Sequence, residues 1–173
     1  MSPLPPAASE PDESRVCLSC GLCCSGTVYS VIPLEAGEEA RAAASGFALV
    51  RDADGERGAA QPCPQLQGTA CRLYGGWRPR ACEDYACRLL GALRRGELSE
   101  DEAMARIARL KAMIAQHLPD SGGRSLRALV SEAAELTRRG AIDPDEARLV
   151  VAVGAVNLEI DRVIRHPGQS TFR

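Results

Sequence analysis

The 173-residue chain has few aromatic residues, one lysine and no long apolar stretch, and each shortage excludes a class of protein. Without a run of about 18 apolar residues, no transmembrane helix and no membrane partner are predicted. The net charge of −2 gives no reason to expect binding to nucleic acid. An apolar fraction of 45% and a charged fraction of 25% are ordinary for a globular chain, so the composition also excludes a wholly disordered protein.

The N-terminal segment lacks the features of a secretory signal. Residues 1–14 have neither a basic start nor an apolar core. The sequence therefore predicts a cytoplasmic protein in a reducing compartment, where clustered cysteines hold metal more often than they form disulfides. The two histidines, His117 and His166, each end a predicted helix, where a cation complements the helix dipole. No Ser-His-Asp set and no phosphate-binding loop appear in the sequence.

Composition divides the chain into four segments. Residues 1–15 are rich in proline and acids and are predicted to form a disordered tail. Residues 16–95 contain all eight cysteines but only 15 Val, Ile, Leu, Met and Phe side chains, whereas residues 96–166 contain 21, and residues 167–173 form a second tail. So lean a core often needs a metal for stability. We predict an α+β, mostly helical fold, with a small metal-stapled cysteine-rich region that includes a short hairpin, followed by a three-helix C-terminal region.

Cap residues and apolar spacing predict the individual elements. The three C-terminal helices are predicted from Ser99 to about Leu118, over Leu126–Leu136, and from Asp143 to about Arg165. The third is apolar on more than one side, so we expect it to be central. In the cysteine-rich region we predict a strand at Thr27–Ile32, a helix at Leu34–Ser45, and a hairpin formed by Phe47–Arg51 and Arg57–Ala60.

The cysteines form two blocks of four: Cys17, Cys20, Cys23 and Cys24, then Cys63, Cys71, Cys82 and Cys87. Two intervening residues let the chain turn and direct two sulfurs at one ion. Eight thiols match two four-thiolate sites, and we predict that all eight bind metal. Neighbouring side chains usually diverge, so Cys23 and Cys24 are expected either to divide between the sites or to bridge two ions.

Cys82 and Cys87 raise a separate geometric question. Five residues advance about 140° around a continuous helix, which would point the two sulfurs apart. Either the helix after Pro79 breaks, or the two cysteines serve different sites.

The spacing leaves the metal open between zinc and iron. Cys17, Cys20 and Cys23 have the spacing of the first three ligands of a bacterial 4Fe–4S cluster, whose fourth ligand can lie far away. Four thiolates suit structural zinc equally well. Eight thiolates outweigh the charge of two divalent ions, so nearby cations would be needed. Five arginines flank the cysteines and could donate to thiolates, or could simply be solvated: Arg15, Arg72, Arg78, Arg80 and Arg88.

Both cysteine blocks resemble the CxxCxxCC cysteine-cluster family of zinc- or iron-chelating domain proteins. The resemblance is carried by Cys17-Leu-Ser-Cys20-Gly-Leu-Cys23-Cys24 and by Pro62-Cys63-Pro64 with Cys71-Arg-Leu-Tyr74, Arg78-Pro79, Cys82 and Cys87, and it covers about residues 16–88. It implies metal chelation by all eight cysteines. Longer relatives in that family include flagellin lysine N-methylases. This chain departs from the pattern at Tyr85-Ala86, where the family often has Phe-Pro.

Three functions are compatible with these features. The first is a metal-binding protein with two zinc or iron sites. The alternatives are a zinc-stapled interaction module that presents its helical region to a protein partner, and an iron–sulfur-dependent protein-modifying enzyme of the methylase type, in which Asp84 and Tyr85 could reach a substrate. In each case we expect Cys20→Ser to destabilise residues 16–95 far more than residues 96–166.

Overall fold

The computed structural model describes residues 12–51, 55–118 and 125–166. Within these ranges the fold is α+β, as predicted, with seven helices and two antiparallel sheets. The helices are α1 (Glu13–Cys20), α2 (Glu39–Ala44), α3 (Arg80–Glu83), α4 (Arg88–Arg94), α5 (Glu100–His117), α6 (Leu126–Arg139) and α7 (Pro144–Val163). The strands are β1 (Val31–Pro33), β2 (Leu49–Arg51), β3 (Arg57–Ala60), β4 (Leu66–Gln67) and β5 (Ala70–Cys71). No described helix is both long enough and apolar enough to cross a membrane.

The larger sheet has the order β1-β3-β2, with both pairs antiparallel. The predicted hairpin is confirmed in its two strands, β2 and β3, while residues 52–54 of its turn lie outside the described residues. Gly58 in β3 is required by packing, because a Cβ there would lie 2.4 Å from Cγ1 of Val31. The second sheet, a two-stranded hairpin of β4 and β5, was not predicted.

The three C-terminal helices are confirmed close to their predicted bounds. Ser99 and Asp143 each form a capping box at the start of α5 and α7, and Ser125 caps α6 by accepting from the amide of Ala128. These bonds satisfy amide groups that the first helical turn leaves without partners. Because each cap residue lies within a few residues of its helix, the start of each helix can be recognised in the sequence. The predicted break after α5, at 119–123, lies outside the described residues except for the end of the helix itself.

Three predictions in the N-terminal half were wrong in their bounds: the N-terminal tail, the helix at Leu34–Ser45 and the strand at Thr27–Ile32. The predicted tail includes residues 12–15, but Asp12 caps α1 by accepting from the amides of Ser14 and Arg15, so these residues belong to a helix. The helix predicted at Leu34–Ser45 begins only at Glu39. Before it, the carboxylate of Glu38 accepts from the amide of Glu35 and closes a turn. Residues 1–11 and 167–173 lie outside the described residues.

The strand predicted at Thr27–Ile32 is displaced to Val31–Pro33. The amide of Val28 donates to the carbonyl of Leu22 in the loop after α1, at 3.2 Å, so residues near Val28 fold back on that loop instead of joining the sheet.

The main apolar core crosses the predicted boundary between residues 16–95 and 96–166. It packs Val16 of α1 and Leu93 of α4 with Leu110 of α5 and Ile160 of α7. A smaller core lies between the three-stranded sheet and α2, and consists of Leu34, Ala42, Phe47 and Ala59. The cysteine-rich segment therefore contributes to both cores.

Helix α7 was predicted to be central, and it is buried on only one side. Val153, Val156 and Ile160 lie in the interior, at spacings that place them on one face. Val151 and Leu158 are each 70% exposed, so the opposite face of this helix meets solvent.

Candidate metal centre

All eight cysteines line a single cavity of about 610 Å³. Its wall includes α1 and the loop after it, β1, the β4–β5 hairpin, α3 and the start of α4. Every cysteine is a free thiol. Cys87 is buried, Cys17 is exposed, and the other six are partly buried. The structure thus brings together in one place all the residues that the sequence predicted as ligands.

The thiols surround the cavity without meeting at one point. Across residues 12–51, 55–118 and 125–166, no three Cys, His, Asp or Glu side chains are arranged so that they could hold one metal ion.

Four of the thiols, Cys17, Cys20, Cys23 and Cys87, form what we call the first thiol set. Cys17 and Cys20 lie three residues apart on α1, which places them on the same side of the helix. Cys87 caps α4, its Sγ accepting from the amide of Leu90 at 3.4 Å. Cys20 and Cys23 pack against the main core, of which Cys87 is a buried member.

Gly21 makes the turn that leads from α1 to Cys23. Its φ of 68° is one that residues with a side chain rarely adopt, and a Cβ there would lie 3.0 Å from the backbone of Thr69. The close approach also fixes the end of α1 against the β4–β5 turn. A residue with a side chain at this position would therefore strain the turn that precedes Cys23.

The remaining thiols, Cys24, Cys63, Cys71 and Cys82, form the second thiol set. The amide of Cys63 donates to the carbonyl of Cys24 at 2.7 Å, which joins the two cysteine blocks directly. The β4–β5 hairpin pairs Leu66 with Cys71 and so returns the chain toward Cys63. Cys82 lies in the one-turn helix α3. This set adjoins the smaller core, against which Cys63 packs.

The electrostatics follow the same division. Burial raises the pKa of Cys24 to about 12, and the next contributions are the charges of Cys63, Cys71 and Cys82. Burial also raises the pKa of Cys82 to about 12, again with Cys63 and Cys71 next. After burial, the largest effects on the pKa of Cys24 and of Cys82 therefore come from Cys63 and Cys71 of the same set.

The first set behaves in the same way. Burial raises the pKa of Cys17 to about 11, followed by the charges of Cys20 and Cys87. Cys17 is exposed to solvent as a residue, yet many protein atoms surround its sulfur at the cavity wall. Burial raises the pKa of Cys23 well above its ordinary value, and the charges of Cys20 and Cys87 again contribute next. Burial in this cavity therefore favours neutral thiols.

The grouping into two sets bears on both geometric questions that the sequence poses. It places Cys23 in the first set and Cys24 in the second, and the division of this adjacent pair between two metal sites stays a prediction. Between Cys82 and Cys87 the helix does break, because α3 ends at Glu83 and α4 begins at Arg88. The same two cysteines also fall in different sets.

Of the five arginines that flank cysteines, Arg78 alone lines the cavity. Three of the others are bound elsewhere: Arg15 pairs with Glu100, Arg80 pairs with Asp84, and Arg88 donates to the carbonyl of Asp161. Arg72 is exposed. The sequence could not select among the five, because all lie within a few residues of a cysteine.

Lys111, the one lysine of the chain, was not predicted to take part in the site. Its Nζ donates to the carbonyl of Ser19 at 2.8 Å, at the end of α1. Burial raises the pKa of Cys20, while the amide of Leu22 and the charge of Lys111 oppose that rise. Lys111 lies on α5, more than ninety residues from Ser19, and no local pattern in the sequence connects them.

Two tyrosines complete the wall near the first thiol set. The hydroxyls of Tyr29 and Tyr85 are hydrogen-bonded at 2.8 Å, and their rings meet edge to face with centroids 5.6 Å apart. Burial raises the pKa of Tyr85 far above its ordinary value. Asp84 is instead exposed and paired with Arg80. Of the two residues considered for contact with a substrate, only Tyr85 lines the cavity.

The histidines lie outside the cavity lining. His166 forms a hydrogen bond with the carbonyl of Ala86 at 2.7 Å and so ties the segment after α7 to the residue before Cys87. His117 lies in the last turn of α5, where its sequence position predicted a capping role.

No protein-family model matches the chain, and neither a curated protein nor a solved structure does. The resemblance to the CxxCxxCC family therefore rests on the cysteine motifs alone and stays a prediction.

Proposed function

We propose that this protein chelates zinc or iron through its eight cysteines, in two four-thiolate sites. The first thiol set forms one site and the second forms the other. The observation that supports this most directly is that all eight residues line one cavity as free thiols.

The chemistry of the donors fits such sites. Four thiolates are the usual ligands of structural zinc and of iron–sulfur clusters. Because no three thiols converge as the described side chains stand, binding has to draw the cavity walls together. Because burial raises the thiol pKa values, metal has to displace protons, and binding should release them in amounts that depend on pH.

The residues that hold the metals would join separate elements. The first set connects α1 and its following loop to the start of α4. The second set connects the β4–β5 hairpin to α3 and to the same loop. Zinc would supply structural cross-links at these points, and an iron–sulfur cluster would add electron transfer.

Anaerobic purification followed by elemental analysis and a visible spectrum tests the proposal. We expect metal bound at both sites: colourless protein with stoichiometric zinc, or coloured protein with iron and sulfide. Cys20→Ser and Cys24→Ser should each remove one site and leave the other. A metal-free chain with intact disulfides, seen by native mass spectrometry after anaerobic purification, would contradict the proposal.

An interaction module is the second candidate, and one feature of α7 favours it. Val151 and Leu158 are exposed and lie seven residues apart, on the same face of the helix. A partner protein captured by the wild-type chain should be lost with a Val151→Glu, Leu158→Glu double variant. Equal capture by both would argue against this face as the binding surface.

An iron–sulfur-dependent modifying enzyme stays a prediction. Tyr85 at the cavity wall is the residue that such an enzyme could use near the first thiol set. Colourless protein with stoichiometric zinc would rule out the iron version.

A further inference from the structure

Arg78 lies on the wall of the cavity that both thiol sets line. It directly precedes Pro79, the cap residue of α3, and α3 carries Cys82 of the second set. Its guanidinium lies over the ring of Tyr74, 4.3 Å from the centroid. Tyr74 also lines the cavity. This cation–π contact holds the guanidinium against Tyr74 on the cavity wall.

The guanidinium has a donor with no acceptor. Nε of Arg78 is buried and has no hydrogen-bond partner within the described ranges. A buried donor without an acceptor costs free energy. A neighbouring group that can accept a hydrogen bond from this Nε would therefore remove that cost. The residues that share this cavity wall with Arg78 include the thiols of both sets. A thiolate is an acceptor that this donor would gain only when cysteines lose their protons to metal.

Arg78 lines the same cavity as Cys17 of the first set and Cys82 of the second. Lys111, by comparison, is not among the residues that line the cavity, and its Nζ donates to the carbonyl of Ser19 at the end of α1.

Two four-thiolate zinc sites each have a net charge of −2, and they repel each other when they share a cavity wall of low polarity. A cation on the wall that they share offsets that repulsion most when both are filled. Removing it should therefore weaken the binding of the second metal more than that of the first.

We propose that Arg78 is a positioning residue shared by both metal sites, and that it makes simultaneous filling of the two sites favourable. The inference rests on the proposed two-site function. A purely structural role, in which Arg78 only stacks on Tyr74, would affect folding and both metals alike.

The test is stepwise titration of the reduced, metal-free protein with Zn²⁺ against a chromophoric chelator. We expect the wild type to bind two equivalents. Arg78→Gln should weaken the second equivalent by about 10- to 100-fold, the usual effect of removing a residue that supports metal ligands. The first equivalent should change much less. Arg78→Lys should recover most of the loss because it keeps the charge.

Arg72→Gln is the matched control. Arg72 also flanks a cysteine of the second set, yet it is exposed and is not part of the cavity wall. It should bind both equivalents as the wild type does. Arg78→Met, whose side chain still packs on Tyr74, replaces Arg78→Gln if that variant folds poorly in circular dichroism.

The possible outcomes distinguish the proposed role of Arg78 from the two-site metal binding on which it depends. A wild-type chain that binds no metal contradicts the two-site function itself. If the wild type binds two equivalents and both neutral variants match it, the function stands and the role of Arg78 is wrong. The inference would also be overturned if Arg78→Gln, Arg78→Met and Arg78→Lys all weakened the binding of both zinc equivalents by the same amount. That result would indicate a structural role for Arg78.

Discussion

The two thiol sets have the same ligands but different surroundings. The first packs against the main core, where Cys87 is 8% exposed and neighbours the helices of both halves of the chain. The second adjoins a core of four buried residues and a hairpin of two-residue strands. Helix packing already stabilises the elements around the first set, whereas the elements around the second have little apolar contact. We therefore expect the elements around the second set to depend more on bound metal for their stability than the elements around the first.

The largest expected effect comes from the matched pair Cys20→Ser and Cys24→Ser. Each removes a ligand from one set, and structural zinc contributes on the order of 10 kcal/mol to folding. Cys20→Ser should expose α1, α4 and α5 together, because they share the main core. Cys24→Ser should expose mainly β4, β5 and α3. Hydrogen exchange measured by mass spectrometry, with metal counting, distinguishes the two patterns.

This prediction reverses the expectation from composition, in which Cys20→Ser affects residues 16–95 far more than residues 96–166. If hydrogen exchange in α5 and α7 were unchanged in Cys20→Ser, residues 16–95 and 96–166 would behave as independent parts. That result would contradict a core shared between them.

A cavity in the main core should have the next largest effect. Leu93 is 1% exposed, and Leu93→Ala should cost about 2–5 kcal/mol in the free energy of unfolding. It should also weaken the first metal site, because Leu93 and Cys87 belong to α4 and its cap. The second site should keep its affinity. Chemical denaturation and metal titration test both parts, with the exposed Leu49→Ala as control.

Lys111→Met should have a smaller and more local effect. It removes the charge near Cys20 and the hydrogen bond to Ser19. We expect about a tenfold loss of affinity at the first site and no change at the second. Arg106→Met, an exposed position on the same helix, serves as the control. Equal loss at both sites would show that Lys111 does not distinguish the sets.

The effect expected to be smallest at neutral pH is the pH dependence of the metal-free protein. Burial raises the pKa of Cys17, Cys24 and Cys82 above the ordinary value of 9.0, to about 11 or 12. The folded state therefore holds protons that the unfolded chain has lost. Stability from these thiols is complete below pH 9.0 and falls as the pH rises through about 12. Urea unfolding with a chelator and a reductant measures it.

Metal-loaded protein is the control for this titration. Its thiols have already lost their protons, so its stability should not begin to fall at pH 9.0. The same pH profile with and without metal would contradict the proposed ligands.

The sequence predicted best those elements whose signals are local. The capping boxes at Ser99 and Asp143 and the apolar spacing of the helices they begin are complete within a few residues. Helix α1 was missed because its cap, Asp12, lies in a segment whose prolines and acids suggested a tail. The positions of all eight cysteines in one cavity agreed with the motif, although their sorting did not follow from it.

Long-range contacts explain what could not be predicted. The cysteine blocks divide by tertiary contacts, such as the bond between the amide of Cys63 and the carbonyl of Cys24. Arg78 differs from the other four arginines only in where the fold places it. Lys111 reaches α1 from a distant helix. Thiolate ligands suit zinc and iron alike, so the identity of the metal depends on chemistry that the spacing does not encode.

Cys23 and Cys24 belong to different thiol sets and are joined by one peptide bond. The rigid peptide unit holds their Cα atoms about 3.8 Å apart, whatever happens on either side. No flexible segment lies between the two sets at this point to absorb a displacement. A movement of the hairpin that shifts Cys24 must therefore be transmitted mechanically to Cys23 and to the end of α1. Through this link, a displacement in the small sheet region is coupled to a displacement in the helical core, and the reverse.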